Sequence, residues 1–384
     1  MALVQDWLTG FRGGEKLLEG FAILFPDADL YTLIHVPGST SDRIERLRIH
    51  ASWLSALPGV ARHYRKLLPL FPSTIERFFL DGYDMILSNS HSFAKGVRVA
   101  PGTPHICSCM TPIRYVWDHV DTYLGRGPKR FLATPFVHYL RSWDRKTSTP
   151  ERVTGFVAIS QAVAARIRRH YGRDSRIVHP WVDTHRYRPS GEKPEDFYLL
   201  VGGFVPYKGE ALAIDAFRRL GRSLIVAGDG PSRRALEARA PANVRFVGRV
   251  SDERLAELYA RTRALIHPQE EDFGMIAVEA QAAGRPVIAL GRGGARETVV
   301  GTDAGGSSVP TGLFYERSEP DSLVAAVQEF ESQESSYDPG AIRRHAEHFA
   351  LPRFHREFIE ALESFMGPLP ELHRRASQIA RHDG

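Results

Sequence analysis

Cysteine is nearly absent: the 384 residues hold two, Cys107 and Cys109, two apart in HICSCM. Strand geometry points both to one face and away from disulfide geometry, so they read as packing residues. Without further cysteines or clustered histidines the pair supplies too few ligands for a structural zinc, and neither metal nor other cofactor is expected. No apolar run approaches the roughly 18 to 20 residues that cross a bilayer. The opening MALVQDWL has no basic leader and no cleavage site, which predicts a cytoplasmic chain. Low-complexity tracts and short fixed repeats are also missing, which leaves no sign of disorder or of a solenoid.

What is there suits a globular chain with a sizeable core: 43% hydrophobic and 25% charged residues. The length exceeds what one core normally organises and predicts two domains. A formal charge of +5 and a sequence pI of about 9.2 favour anionic partners, among them nucleotide diphosphates, lipid headgroups and nucleic acid. Basic and apolar residues interleave in RHYRKLLPLF (Arg62 to Phe71) and GPKRFLATPF (Gly127 to Phe136). This pattern suits contact with an anionic membrane surface, and a solvated helix face with core anchors accounts for it equally well. No nucleic-acid recognition motif accompanies the charge, which is spread over both halves.

The C-terminal half alternates short apolar runs (FYLLVGGF, SLIVAG, VRFVG, ALIHP, PVIAL) with segments of helical period, the signature of βαβ units and a doubly wound parallel sheet. The N-terminal half repeats the pattern less regularly through ALVQD, DMILS, HICSC and VTGFVAIS. Between them HRYRPSGEKPEDF, rich in Pro, Gly and charge, predicts a linker near residues 184–196. The expected domains are 1–185, 186–340, and a basic helical segment 341–384 packing back on the first.

Ligands of open parallel sheets settle at the carboxyl ends of strands. After ALIHP comes EEDFGMIAVEA, in which Glu271 lies in the loop and Glu279 two helical turns further on, so both carboxylates can address one ligand. The free amides around Phe273 and Gly274 can hold an oxygen-rich group. An acidic first turn complementing the helix dipole explains an isolated pair of this kind as well. After FYLLVGGF, a glycine turn leads to Lys208 at a helix start, suited to a diphosphate. In FRGGEKLLEG, Gly13 and Gly14 allow close approach of backbone to ligand. PHICSCMTPIRYVWD puts Arg114 near a helix start, and GRGGARETV puts Gly293, Gly294 and Glu297 after PVIAL, where the glycines would open room for a ligand and a plain turn between strand and helix explains them nearly as well.

Taken together, these stretches resemble the retaining glycosyltransferases of family 4, especially the bacterial polysaccharide mannosyltransferase-like branch. The residues that carry the resemblance are DWLTGFRGGEKLLE, VGGFVPYKGEALAIDAF, HPQEEDFGMIAVEAQAAGRPVIAL, GRGGARETV and TGLFYERSEPDSL, and it runs from Asp6 to about Phe330. The resemblance implies a GT-B fold: two doubly wound Rossmann-like domains facing across a cleft, the first receiving the acceptor and the second the nucleotide sugar. It assigns Glu279 to the ribose, Glu271 to a donor-sugar hydroxyl and Lys208 to the phosphates, with Phe273, Gly274, Gly293 and Gly294 around the donor. Gly13 and Gly14 would lie over diphosphate and acceptor. Two positions depart from the family pattern: Gly203 stands where similar proteins carry an arginine, and Met110 where they carry a histidine. Arg114 and Arg249 are the candidates to replace the missing cation. His91, which follows DMILS, is the candidate for the missing histidine, although a turn or cap histidine fits it as well.

The implied chemistry transfers a hexose with retention, the leaving phosphate helping to deprotonate the acceptor hydroxyl, without metal or protein nucleophile. GDP-mannose is the implied leading donor, and a saccharide or lipid-linked saccharide the acceptor, with the chain cytoplasmic or peripheral on the inner membrane face. The two departures leave open a catalytically impaired relative that binds a nucleotide sugar or a partner. Phosphorylases and epimerases of similar architecture fit the N-terminal region less well.

Overall fold

The structure is a computed structural model that describes residues 1–118, 120–121, 125, 128–205, 208–302 and 309–382. Gly127 of the second basic stretch, and Pro206 and Tyr207 of the loop before Lys208, lie outside the described residues. The chain divides into two compact units, Met1–Pro180 with Leu351–Gly384, and Trp181–Ala350.

In the first unit, seven parallel strands form one sheet: β1 (Ala2–Gln5), β2 (Asp29–Thr32), β3 (Arg48–Ala51), β4 (Ile86–Ser90), β5 (His105–Cys109), β6 (Gly155–Ala158) and β7 (Arg176–Ile177). Their order is β3-β2-β1-β4-β5-β6-β7, so winding reverses between β1 and β4 and opens a switch point where Gln5 pairs in register with Asn89. β1, β4 and β5 are buried along their whole length because helices cover both faces. Helix α1 (Gly13–Leu24) follows β1; α2 (Pro128–Lys146) and α3 (Gln161–Tyr171) flank β6. Cys107 and Cys109 are free and buried, as expected of packing residues, and burial lifts the Cys109 thiol well above its ordinary range.

The second unit has six parallel strands, β8 (Tyr198–Gly202), β9 (Leu224–Gly228), β10 (Val244–Gly248), β11 (Leu265–His267), β12 (Val287–Leu290) and β13 (Gly312–Tyr315). Their order is β10-β9-β8-β11-β12-β13, with the reversal between β8 and β11. Its longer helices are α4 (Glu210–Leu220), α5 (Asp252–Arg261), α6 (Met275–Ala282), α7 (Pro320–Gln333) and α8 (Pro339–Glu347). The stretch expected to be a linker packs on this unit: Tyr187 is buried against Tyr259, ring centroids 5.4 Å apart, and Arg186 pairs with Asp252.

Two last helices, α9 (Leu351–Met366) and α10 (Pro370–His382), belong to the first unit. Phe354 and Phe358 of α9 meet Phe21 of α1 at 5.5 and 4.6 Å, and His355 Nε2 lies 2.8 Å from the Gly20 carbonyl. The return expected from residue 341 starts later here, since α8 stays with the second unit, packed on α6. No helix among the described residues is long and apolar enough to cross a membrane.

Candidate functional site

The second unit gathers its chemistry at the carboxyl ends of β8 and β11, the two strands at its switch point. After β8 the chain turns through Gly202, Gly203 and Phe204. Phe204 is the one described non-glycine residue with positive φ, 36°, a strained conformation held by complete burial of its ring and by a 3.0 Å bond from Ser232 N–H to its carbonyl. Two glycines of the neighbouring β9 turn make room: a Cβ on Gly228 would stand 1.9 Å from the Gly202 carbonyl oxygen, and one on Gly230 2.1 Å from that of Gly203. The turn delivers Lys208, whose Nζ lies 3.0 Å from Glu271 Oε1 in the loop after β11. Both side chains remain partly exposed, at 23% and 18%. The pair therefore sets a cation and an anion side by side, open to a ligand bearing both phosphate and hydroxyl groups.

Glycines shape the acidic loop. Gly274, at φ 87°, caps α6, and a Cβ there would press to 3.4 Å on His267 Nε2. Gly293 and Gly294 approach the same loop closely: a Cβ on them would lie 2.4 Å from the Glu271 carbonyl oxygen and 2.3 Å from Phe273 Cα. Their bare backbone packs on the loop, and Gly294 N–H donates to the Glu271 carbonyl at 2.8 Å. Phe273 is buried against Phe349. Glu279 is 3% exposed and accepts the Tyr259 hydroxyl at 3.0 Å; burial, then the charges of Glu279 and also Glu271, hold that phenol far above its ordinary range. Gly203 sits beside the pair, a Cβ there being 4.0 Å from Lys208 Nζ. Arg249 is exposed after the edge strand β10, and β9 lies between that strand and β8.

Sequence reasoning passed over Glu210. It opens α4, is buried to 3% exposure, and leaves Oε1 without a hydrogen-bond partner among the described residues. Burial raises its pKa against the lowering effects of its own N–H, Lys208 and the Phe204 N–H, and Glu271 raises it further. His267 was passed over too; burial pushes its pKa down, so it is a neutral support under the loop. His267 ends β11, the signal that could have found it.

In the first unit, His91 and Arg114 come together with the residues after β1. Asp6, fully buried, accepts backbone N–H groups of His91 and Ala94, both at 2.7 Å, and of Phe93, while His91 Nδ1 lies 2.8 Å away. Burial works against the charged imidazole, but Asp6 outweighs it and, with Glu15, raises the His91 pKa, opposed by Arg114. Gly13 and Gly14 are the first residues of α1. The Gly14 carbonyl accepts Asn89 Nδ2 at 2.9 Å, and a Cβ on Gly14 would lie 3.3 Å from Met110 Sδ, so the two motifs touch. Gln5 Nε2 and Asn89 Oδ1 beside them are buried without hydrogen-bond partners among the described residues. Arg114 opens a turn over residues 114–118, shortly before helical residues 120–121. That turn is pinned by Trp117, whose Nε1 donates to buried Asp144 at 2.7 Å, a carboxylate also paired with buried Lys95 and bonded by Tyr171 at 2.9 Å.

The two doubly wound parallel sheets, each with polar groups at its switch point, are shared with solved glycosyltransferase structures of the GT-B class. The family model for Glycosyltransferase Family 4 matches residues 26–186, and that for Glycosyl transferases group 1 matches residues 183–345; the chain belongs to this family of glycosyltransferases. It is 32% identical over 144 residues to an uncharacterised glycosyltransferase of Methanocaldococcus jannaschii, covering 36% of this chain and 39% of that one. Identity to the O-antigen chain mannosyltransferase C of Escherichia coli is 28%, over 46% of each. The chain thus spans less than half the length of these curated relatives. Among solved structures, the Anabaena HepE protein in complex with UDP-glucose superposes with a TM-score of 0.67 at 18% identity, over 94% of this chain and 99% of that one, a likeness of fold.

Proposed function

We propose that the protein transfers a hexose, mannose being favoured, from a nucleotide-diphosphate sugar to a saccharide or lipid-linked saccharide in cell-surface polysaccharide synthesis, with retention of configuration. The observation that carries this reading is the half-open Lys208–Glu271 pair at the β8/β11 switch point. In this reading the Lys208 ammonium neutralises charge developing on the leaving diphosphate. Glu271 accepts hydrogen bonds from sugar hydroxyls, and Glu279, held by Tyr259, receives the ribose. The diphosphate itself takes the acceptor proton, so the chain supplies positioning and charge instead of a nucleophile. Likeness to an O-antigen mannosyltransferase supports the sugar and the pathway class, and the UDP-glucose complex of a fold neighbour supports a nucleotide-sugar donor.

Glu271→Ala is expected to lower transfer by about a hundredfold or more, and Glu279→Ala to weaken binding of the nucleotide diphosphate measured by calorimetry. Unchanged turnover in both variants would refute the assignment. Gly203 beside Lys208 and Met110 beside Gly14 favour a second reading, a family member that binds a nucleotide sugar without transferring it. Incubation with UDP-, GDP- and ADP-hexoses separates the two: binding with neither transfer nor hydrolysis selects the second.

A further inference from the structure

We propose that Glu210 is a positioning residue for the donor diphosphate: buried beneath the glycine turn, its carboxyl fixes the backbone that presents Lys208 and carries a proton while the diphosphate is bound, which leaves the Lys208 charge to the ligand. The proposal deepens the transferase reading above and rests on its assignment of Lys208 to the diphosphate. Glu210 opens α4 two residues after Lys208 and is 3% exposed. Its side chain reaches back under the end of β8, where a Cβ on Gly202 would stand 2.9 Å from Oε1. The carboxyl accepts its own N–H and that of Phe204, the strained residue of the turn, and Lys208 N–H donates to the Val205 carbonyl at 3.0 Å. On the other side Gly209 meets the segment after β11, a Cβ there falling 2.8 Å from the Pro268 carbonyl oxygen. The start of α4 is thus wedged between the two segments that bring Lys208 to Glu271.

Holding that turn does not require an acid, because a glutamine oxygen can accept the same N–H groups without an ionisable group being buried. What the acid adds is a charge that can be present or absent. Burial favours its neutral form, the Lys208 ammonium favours the charged form, and the Glu271 carboxylate disfavours it. His267 at the end of β11 is buried and held neutral. Asp229 after β9 is exposed and bonded to the Gly230 N–H. A diphosphate against Lys208 takes over the cation that acts on Glu210 and sets further negative charge beside a carboxyl shielded from water; both effects favour the protonated acid. Oε1, which has no hydrogen-bond partner among the described residues, is the oxygen left for that proton. Diphosphate binding therefore raises the pH at which Glu210 ionises. Between the ionisation of the empty site and that of the filled one, the chain takes up a proton from solvent on binding, and affinity falls as pH rises through that window.

The test is calorimetric titration of the full chain with GDP, UDP and ADP from pH 5 to 9, in buffers of unlike ionisation enthalpy. Glu210→Gln is expected to match the parental affinity at the acid end and to bind more tightly than the parent above it, the ratio growing by up to about tenfold per pH unit across the window. Titration of the nucleotide's own phosphate is common to both proteins and cancels. In the same window the parent should take up more protons per bound nucleotide than the variant, by up to about one. Glu210→Ala, which no longer holds the Phe204 N–H, should bind about tenfold more weakly than Glu210→Gln at every pH. Unfolding temperatures establish that each variant is folded during titration. Equal pH dependence and equal proton uptake in the parent and Glu210→Gln overturn the proposal. So does an alanine variant as tight as the glutamine one, because the side chain then does not hold the turn. A chain that binds none of the three nucleotides at any pH defeats the donor-site reading and this inference with it, whereas binding without a proton that depends on Glu210 defeats this inference alone.

Discussion

Glu210 is a buried acid placed beside the ion pair the proposed reaction needs, and its cost depends on pH in a definite direction. Burial raises its pKa in the folded chain above the ordinary 4.5. Below that value the carboxyl is protonated folded and unfolded alike, and nothing is lost. As pH climbs toward the elevated folded value the unfolded chain releases the proton first, so stability falls through that window and then levels off. Glu210→Gln keeps an oxygen to accept the Phe204 N–H and cannot ionise. Its unfolding temperature should therefore match the parent near pH 4.5 and exceed it by a few degrees at neutral pH. Glu15, whose pKa burial also raises, has the same sign and cancels in the comparison. Parallel melting curves from pH 4.5 to 8 would show that Glu210 is not ionised against its surroundings.

Among the elements, the acidic loop depends on the one after β12 through bare backbone. Gly294→Ala sets a Cβ 2.3 Å from Phe273 Cα and 2.4 Å from its carbonyl oxygen; no rotamer relieves such a clash, so the loop must move. A loss of about 2–4 kcal/mol in denaturant unfolding is expected, together with weaker nucleotide-sugar binding as Glu271 leaves Lys208. An alanine variant with parental stability and affinity would mean that the two loops do not bear on each other. This contact was not legible in the sequence, where Gly293 and Gly294 read as room for a ligand, because a glycine pair looks alike whether it clears space or closes it. The strands were legible where burial on both faces made them continuous apolar runs, as in YLLVG and LIVAG. β2 and β3, reading DLYT and RIHA, escaped because half their residues are polar; β3 is an edge strand, exposed at both ends. Lys208 and Glu271 were legible as residues that follow strands. Asp6, which follows β1, and Glu210, which opens α4, were not singled out, since one acid at a strand end or helix start carries no spacing that distinguishes a cap from a solvated side chain.

At the scale of the whole chain, the first unit is discontinuous in sequence: it ends at Pro180 and is completed by Leu351–Gly384. α1, which carries Gly13 and Gly14 at its start, is covered by α9, so residues more than 300 positions apart set the stability of the N-terminal site. Phe21, Phe354 and Phe358 are almost fully buried where they meet, and none touches a proposed ligand. Phe358→Ala removes an aromatic ring from that contact and should cost about 3–5 kcal/mol. The loss falls on the first unit, because the second has its own core running from Tyr198 to Ile342. Hydrogen exchange is expected to speed up in α1, α9 and β1 while α4, α6 and β11 keep their protection, and nucleotide-diphosphate affinity should stay at the parental value. Equal loss of protection in both sets of elements would mean that the two units unfold as one, and that the donor-binding half does not stand on its own core.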